Sequence, residues 1–182
     1  MEYKIKKIDY FVALFFVLIG IGFRLFPHLP NFNPITAIAL FSGVYLTRRT
    51  ALIIPMIALA VSDYFIGYYE FSLMASVYGS FILCALIGFW LKKHKKWYNI
   101  GGSAIACSVL FFLVTNFAVW AFTVWYPHTL AGLIQCFTMA LPFFRNAMLG
   151  DVFYVGVFFG AYEMAKVGVK KFVLKEIPVP IK

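Results

Sequence analysis

The chain has 182 residues, 63% of them hydrophobic and 20% aromatic, and only 13% are charged. A soluble domain is closer to half apolar with about a quarter of its residues charged, so this composition excludes an ordinary soluble fold. The net charge of +9 lies in short clusters beside long apolar runs. That placement marks topology signals and anionic-lipid contacts rather than a nucleic-acid interface, and no aromatic-basic binding motif accompanies it.

A helix crosses the hydrocarbon core with roughly 20 apolar residues, which leaves room for about six spans and no separate soluble domain. The first is expected over residues 10–26, after Lys4, Lys6 and Lys7. Its basic start and apolar run resemble a secretory signal, but no A-x-A-like site follows, so the helix is expected to be retained. The second, 34–46, places Pro34 in its first turn, where a missing N–H costs nothing, and stops at Arg48 and Arg49. The third, 51–69, contains Pro55 and Asp63, and the fourth, 72–91, ends at the run from Lys92 to Lys96. A fifth covers 102–125 and is broken by Tyr126, Pro127 and His128. Residues 129–144 are apolar but short before Pro142, so they read as an interfacial or re-entrant segment. The last helix covers 146–169, followed by Lys170, Lys171 and Lys175.

The expected fold is therefore an all-α integral membrane protein, one transmembrane domain over 1–182 with six transmembrane helices. With both termini in the cytoplasm, all of the sixteen lysines and arginines except Arg24 and Arg145 fall on the inner side, as the positive-inside rule requires. An odd number of spans would scramble that asymmetry. Cys84, Cys107 and Cys136 are far apart in apolar settings and read as small buried hydrophobes, with no metal-ligand spacing. Gly156 and Gly160 form a GxxxG, expected to serve helix packing within the chain. Tyr68, Tyr69, Trp97, Tyr98, Trp125 and Tyr126 stand at span ends, where interfacial aromatics belong.

Arg24 and Arg145 draw attention to the outer half of the bundle. Asp63 is expected six residues before the outer end of its helix, and Asp151 about five residues into the last one. Asn116, Trp120 and Thr123 follow i, i+4, i+7 spacing and share a helix face. A charge in the hydrocarbon costs about 2.5–3.5 kcal/mol even on the lenient insertion scale, so such groups pair or line a wet cavity. Two arrangements follow. Asp63–Arg145 or Asp151–Arg24 pairs could tie helices together, or the polar groups could wall an outward-facing pocket for a solute. The pocket candidates are Arg24, His28, Asn31, Asn33, Asp63, Asn116, Trp120, His128, Gln135, Arg145, Asn146 and Asp151. Arg24 and Arg145 would meet anionic groups or neutralise the aspartates, Asn116 and Gln135 would hydrogen-bond, and Trp120 would stack or pack. No GxSxG, HExxH or P-loop motif is present, so no nucleotide, cofactor or catalytic site can be named.

The run from Arg24 to Pro34 (RLFPHLPNFNP), the following ALFSGVY, and SDYFIG at 62–67 resemble a family of small uncharacterised prokaryotic membrane proteins. YPHTLAG at 126–132 and LPFFRNAMLGD at 141–151 fit the same pattern. More distantly, the organisation is similar to the substrate-binding S components of energy-coupling-factor vitamin transporters, six-helix proteins whose outer loops cap a solute pocket. The corresponding loops here are 24–34, 68–72 and 126–145. That resemblance implies a solute-binding transport component in the cytoplasmic (inner) membrane of a prokaryote, surrounded by lipid and served by a separate coupling subunit and ATPases. The AxxxA often used for docking on helix one is absent, since Ala13 is followed four residues later by Val17. The segment 24–34 would act as an outer lid, stiffened by its prolines. The alternatives are an intramembrane enzyme using the outer carboxylates and histidines, and a structural or assembly protein whose ion pairs only hold helices together.

Overall fold

The computed structural model describes residues 15–26 and 29–175, with side chains as far as residue 167. Among these residues there are six helices and no strand: α1 (Phe15–Leu25), α2 (Ile35–Tyr45), α3 (Arg48–Ile66), α4 (Phe71–Lys93), α5 (Trp97–Phe122) and α6 (Leu130–Lys175). Three of them, α3, α4 and α5, are long and apolar enough to cross a membrane. The expected start of the first span, residues 10–14, lies outside the described residues.

The centre of the bundle is α2. Ten of its eleven residues are buried, and it touches α3, α4, α5 and α6. A helix that is apolar on every side belongs in the interior. It is also short, about 16 Å at 1.5 Å per residue, which is roughly half the hydrocarbon thickness. Where α2 crosses α4, backbone meets backbone: a Cβ on Gly88 would stand 2.6 Å from the Leu40 carbonyl oxygen and 2.9 Å from the Gly43 Cα. On its other side Phe41 packs against Phe16 of α1 at 4.7 Å between ring centroids, and against Phe159 and Tyr162 of α6 at 5.4 and 5.2 Å. Inside lipid, close contact rather than escape from water drives such packing, so the small residues set how near the helices come. The close approach is thus at Gly43 and Gly88. The GxxxG of α6 does not provide it: Gly156 and Gly160 are exposed, and a Cβ on either would meet nothing within 4 Å among the described residues.

The segment expected as interfacial or re-entrant is instead the first third of α6, which runs unbroken for 46 residues through Pro142. Proline removes one helical hydrogen bond, a modest loss where neighbouring helices hold the segment. Here α5 holds it in antiparallel register. The Cys136 thiol donates to the Asn116 carbonyl at 3.4 Å, Phe112 packs on Phe137 and Phe144 at 5.3 and 4.6 Å, and Ser108 bonds Asp151. Helix α5 also begins earlier than expected, at Trp97. The expected start is 102, but the helix passes through both Gly101 and Gly102. A lipid-facing backbone has no water to bond to, and this outweighs the roughly 1 kcal/mol that each glycine costs a helix.

All three cysteines are free and buried, in keeping with their apolar surroundings in the sequence. At one end of the bundle, a clasp joins α2, the α4–α5 connection and α6. The Tyr45 hydroxyl donates to Glu163 Oε1 at 2.8 Å, Lys95 Nζ lies 2.6 Å from the same oxygen, and Lys166 Nζ lies 3.7 Å away. The α1–α2, α3–α4 and α5–α6 connections gather at the opposite end.

Candidate functional site

At that opposite end the last residues of α1 meet those of α3. Arg24 Nη2 lies 2.7 Å from Asp63 Oδ1, and Nη1 donates to Ser62 Oγ at 2.7 Å. The second carboxylate oxygen of Asp63 accepts from the Tyr78 hydroxyl of α4 at 2.8 Å. The Asp63 side chain is 1% exposed and that of Arg24 17%, so the pair has its aspartate end sealed and its guanidinium end reachable. One network thereby pins α1, α3 and α4.

Next to it the connection between α1 and α2 folds back over the bundle. Phe32 N–H donates to the Leu29 carbonyl at 2.9 Å, and Asn31 between them has φ 62°. Proline at the second position and asparagine with positive φ at the third are the residues a type II turn selects. Asn33 Oδ1 accepts from the Ile35 N–H at 3.2 Å and so anchors the first turn of α2. Gly150 completes the placement. A Cβ there would come within 3.2 Å of the Phe32 Cα, so a larger residue would push the loop away from α6 by a few tenths of an ångström.

These elements enclose a cavity of about 280 Å³, lined on its polar side by Arg24, Asn31, Asn33, Tyr69, Ser76 and Thr115, and on its apolar side by Leu59, Val77, Phe81, Phe111 and Val119 among others. The hydroxyls of Ser76 and Thr115 donate to the carbonyls of Leu73 and Phe111 in their own helices, both at 2.7 Å, and so face the cavity as acceptors. Burial pushes the Tyr69 phenol up, helped by Asp63 and opposed by Arg24, which keeps it a donor. The cavity therefore offers donors and acceptors together, and its one cation is already neutralised by Asp63.

Two smaller spaces adjoin it. One of about 110 Å³ lies between α5 and α6, with Asn31, Ser108, Thr115, Asn116 and Ala147 among its walls. The other, about 20 Å³, is bounded by Asn31, Asn33, Thr36, Phe81, Phe111, Ala147 and Asp151. Asn31 and Phe111 line all three. Asp151, 4% exposed, has Oδ2 2.5 Å from the Ser108 Oγ and bonds the Thr36 hydroxyl.

The aspartates are thus partnered differently from either ion pair expected. Asp63 pairs with Arg24, not Arg145, and Asp151 bonds hydroxyls, not Arg24. Arg145 is exposed, with no ion-pair partner among the described residues. It precedes Asp151 by six residues, roughly 240° around the helix at 3.6 residues per turn, so the two face different ways.

Arg24, Asn31 and Asn33 line the large cavity; Asp63 supports it from behind, and Asn116 and Asp151 belong to the smaller spaces. Trp120 and His128 shape the α5–α6 connection: Trp120 Nε1 donates to the Pro127 carbonyl at 3.0 Å, and a His128 ring nitrogen lies 3.3 Å from the Thr123 carbonyl. The shared face of Asn116, Trp120 and Thr123 is therefore spent largely on local bonds, with Asn116 donating to Phe112 and Thr123 to Val119. Gln135 is exposed on α6 and Asn146 half-buried. His28 lies outside the described residues.

Tyr69, Ser76, Tyr78 and Thr115 were not among the sequence candidates. Ser76 and Tyr78 sit on a helix too uniformly apolar for a polar face to stand out, whereas Thr115 could have been noticed beside Asn116. No curated protein and no solved structure matches the chain. The model of a family of unknown function, DUF6580, matches residues 4–173, and the chain belongs to that family.

Proposed function

We propose that this protein binds a compact polar solute in the cavity at Arg24 and acts as the recognition component of a membrane transport system. The observation that carries the reading is the gathering of Arg24, Asn31, Asn33, Tyr69, Ser76 and Thr115 around one space beside the α1–α2 and α3–α4 connections. Binding sites are typically concave, mainly apolar, and furnished with a few convergent polar groups. At about 280 Å³ the space sits just below the usual 300–1,000 Å³ range for drug-sized ligands. Because Arg24 and Asp63 cancel, the fitting solute is uncharged or zwitterionic, with an apolar part against Leu59, Val77 and Phe111.

In this reading the chain crosses the inner membrane of a prokaryote six times, with both termini in the cytoplasm and the cavity facing outwards. The positions of the lysines and arginines support that orientation. The S-component-like arrangement of loops read from the sequence, together with the lack of a nucleotide motif, supports a separate coupling subunit and ATPases as the energy source. The chain itself performs no catalysis.

The test is gentle purification from the native membrane, followed by mass spectrometry of released small molecules. A stoichiometric solute is expected. Asn31→Gly, which keeps the positive φ, and Thr115→Val, which keeps the shape, should each lower its occupancy without unfolding the protein. A well-folded but empty preparation would favour the structural reading, for which the pairing of Asp63 with Arg24 and Tyr78 speaks.

A further inference from the structure

A buried carboxylate inside an apolar bundle needs a cation, a metal ion or a proton, because the bare charge is costly to desolvate. Asp63 has its cation in Arg24. Asp151 does not: its hydrogen-bond partners are Ser108 of α5 and Thr36 of α2, both neutral and themselves 1% and 4% exposed. Among the described residues, the elements packed around it add no positive charge. From α5, next to Ser108, comes the Cys107 thiol, which interacts with it electrostatically. From α4 comes Phe81, and from the α1–α2 connection come Asn31 and Asn33. Arg24 is engaged by Asp63 and Ser62.

The bonding pattern shows what takes the cation's place. Ser108 Oγ lies 2.5 Å from Asp151 Oδ2 and 3.1 Å from the Ala104 carbonyl, and a hydroxyl has a single hydrogen to give. If Asp151 is a carboxylic acid, it donates to Ser108, Ser108 donates to Ala104, and Thr36 donates to the carboxyl group. Each hydrogen in that chain has an acceptor. If Asp151 is ionised, Ser108 must turn its hydrogen to the carboxylate and give up Ala104.

We infer that Asp151 is a proton-binding site: it holds a proton in the resting protein and exchanges it with the large cavity through the small space beside it. That space, about 20 Å³, exceeds the 10–15 Å³ that a single water needs, and Asn31 and Asn33 line both it and the large cavity. In the transfer the O–H bond of Asp151 breaks, a new O–H bond forms on a water in the small space, and the Ser108 and Thr36 hydroxyls bond the carboxylate left behind. Return of the proton reverses each change. The inference is independent of the solute reading, since a protein that binds no solute would still carry this acid.

The test is infrared difference spectroscopy of the full chain in lipid nanodiscs at neutral pH, in potassium chloride and then in sodium chloride. A protonated carboxyl C=O band is expected in the unaltered protein. Asp151→Asn should abolish it, and Ser108→Ala should move it to higher frequency by removing its acceptor. Transfer to heavy water should shift it as the proton exchanges. If Asp151→Asn does not fold, the band shifts in Ser108→Ala and Thr36→Val decide the matter. Three outcomes overturn the inference: no such band at neutral pH, a band that survives Asp151→Asn, and a band that converts to carboxylate when sodium replaces potassium. The last would make Asp151 a sodium ligand.

Discussion

Asp63 and Asp151 are almost equally buried, at 0% and 4% exposure, yet they solve the same physical problem in opposite ways. Asp63 closes a network across three helices with a guanidinium and a phenol. Asp151 rests among hydroxyls beside a space large enough for one water. The first arrangement holds its charge against a fixed partner and is hard to alter without loss. The second is complete without a cation only while it holds a proton. Depth in the bundle therefore says little about a carboxylate's role; its partners decide it.

The comparison breaks most visibly at Arg24. Arg24→Ala should destabilise the protein by about 3–5 kcal/mol, because it leaves Asp63 buried and unpaired; thermal unfolding in detergent would show this. Replacing the pair together, Arg24→Met with Asp63→Leu, should recover most of that loss, as exchanges of buried ion pairs for apolar side chains commonly do. Gly88→Val comes next, with about 1–3 kcal/mol expected from forcing α2 off α4. It acts through packing, so it should not depend on the state of either aspartate.

Asp151→Asn should cost less than about 1.5 kcal/mol, since an amide of the same shape can still bond Ser108 and Thr36. If it proved as damaging as Arg24→Ala, Asp151 would be a second structural charge and the contrast would fail. The smallest effect belongs to Glu70, whose two carboxylate oxygens accept from the Ser72 and Leu73 N–H groups at 3.0 Å and cap α4. These bonds hold its carboxyl below the ordinary 4.5. Its contribution is thus complete above that pH and fades as the pH falls through the lower native value. Amide hydrogen exchange in the first turn of α4 should quicken on acidification in the native protein, and already at neutral pH in Glu70→Ala.

Much of the fold is legible in composition alone. Apolar runs and basic clusters place α3 and α4 to within a few residues, because lipid leaves a backbone little choice but helix. The exceptions, α5 passing through Gly101–Gly102 and α6 through Pro142, are places where a local breaker signal lost to neighbouring helices. No periodicity could have revealed those neighbours. For the candidate site, the sequence assembled the polar inventory: Arg24, Asn31, Asn33 and Asp63 lie at one end, as their distances from the helix ends required, whereas Asp151, expected about five residues into its helix, stands far deeper along it because α6 begins at Leu130. Which of them touch is another matter. The pairing of Arg24 with Asp63, the exposure of Arg145, and the convergence of Thr36, Ser108 and Asp151 depend on helix rotation and on the backbone contact at Gly43 and Gly88. Rise per residue is fixed by the chain and can be counted from it. Rotation and neighbour choice are settled only when all the helices pack at once.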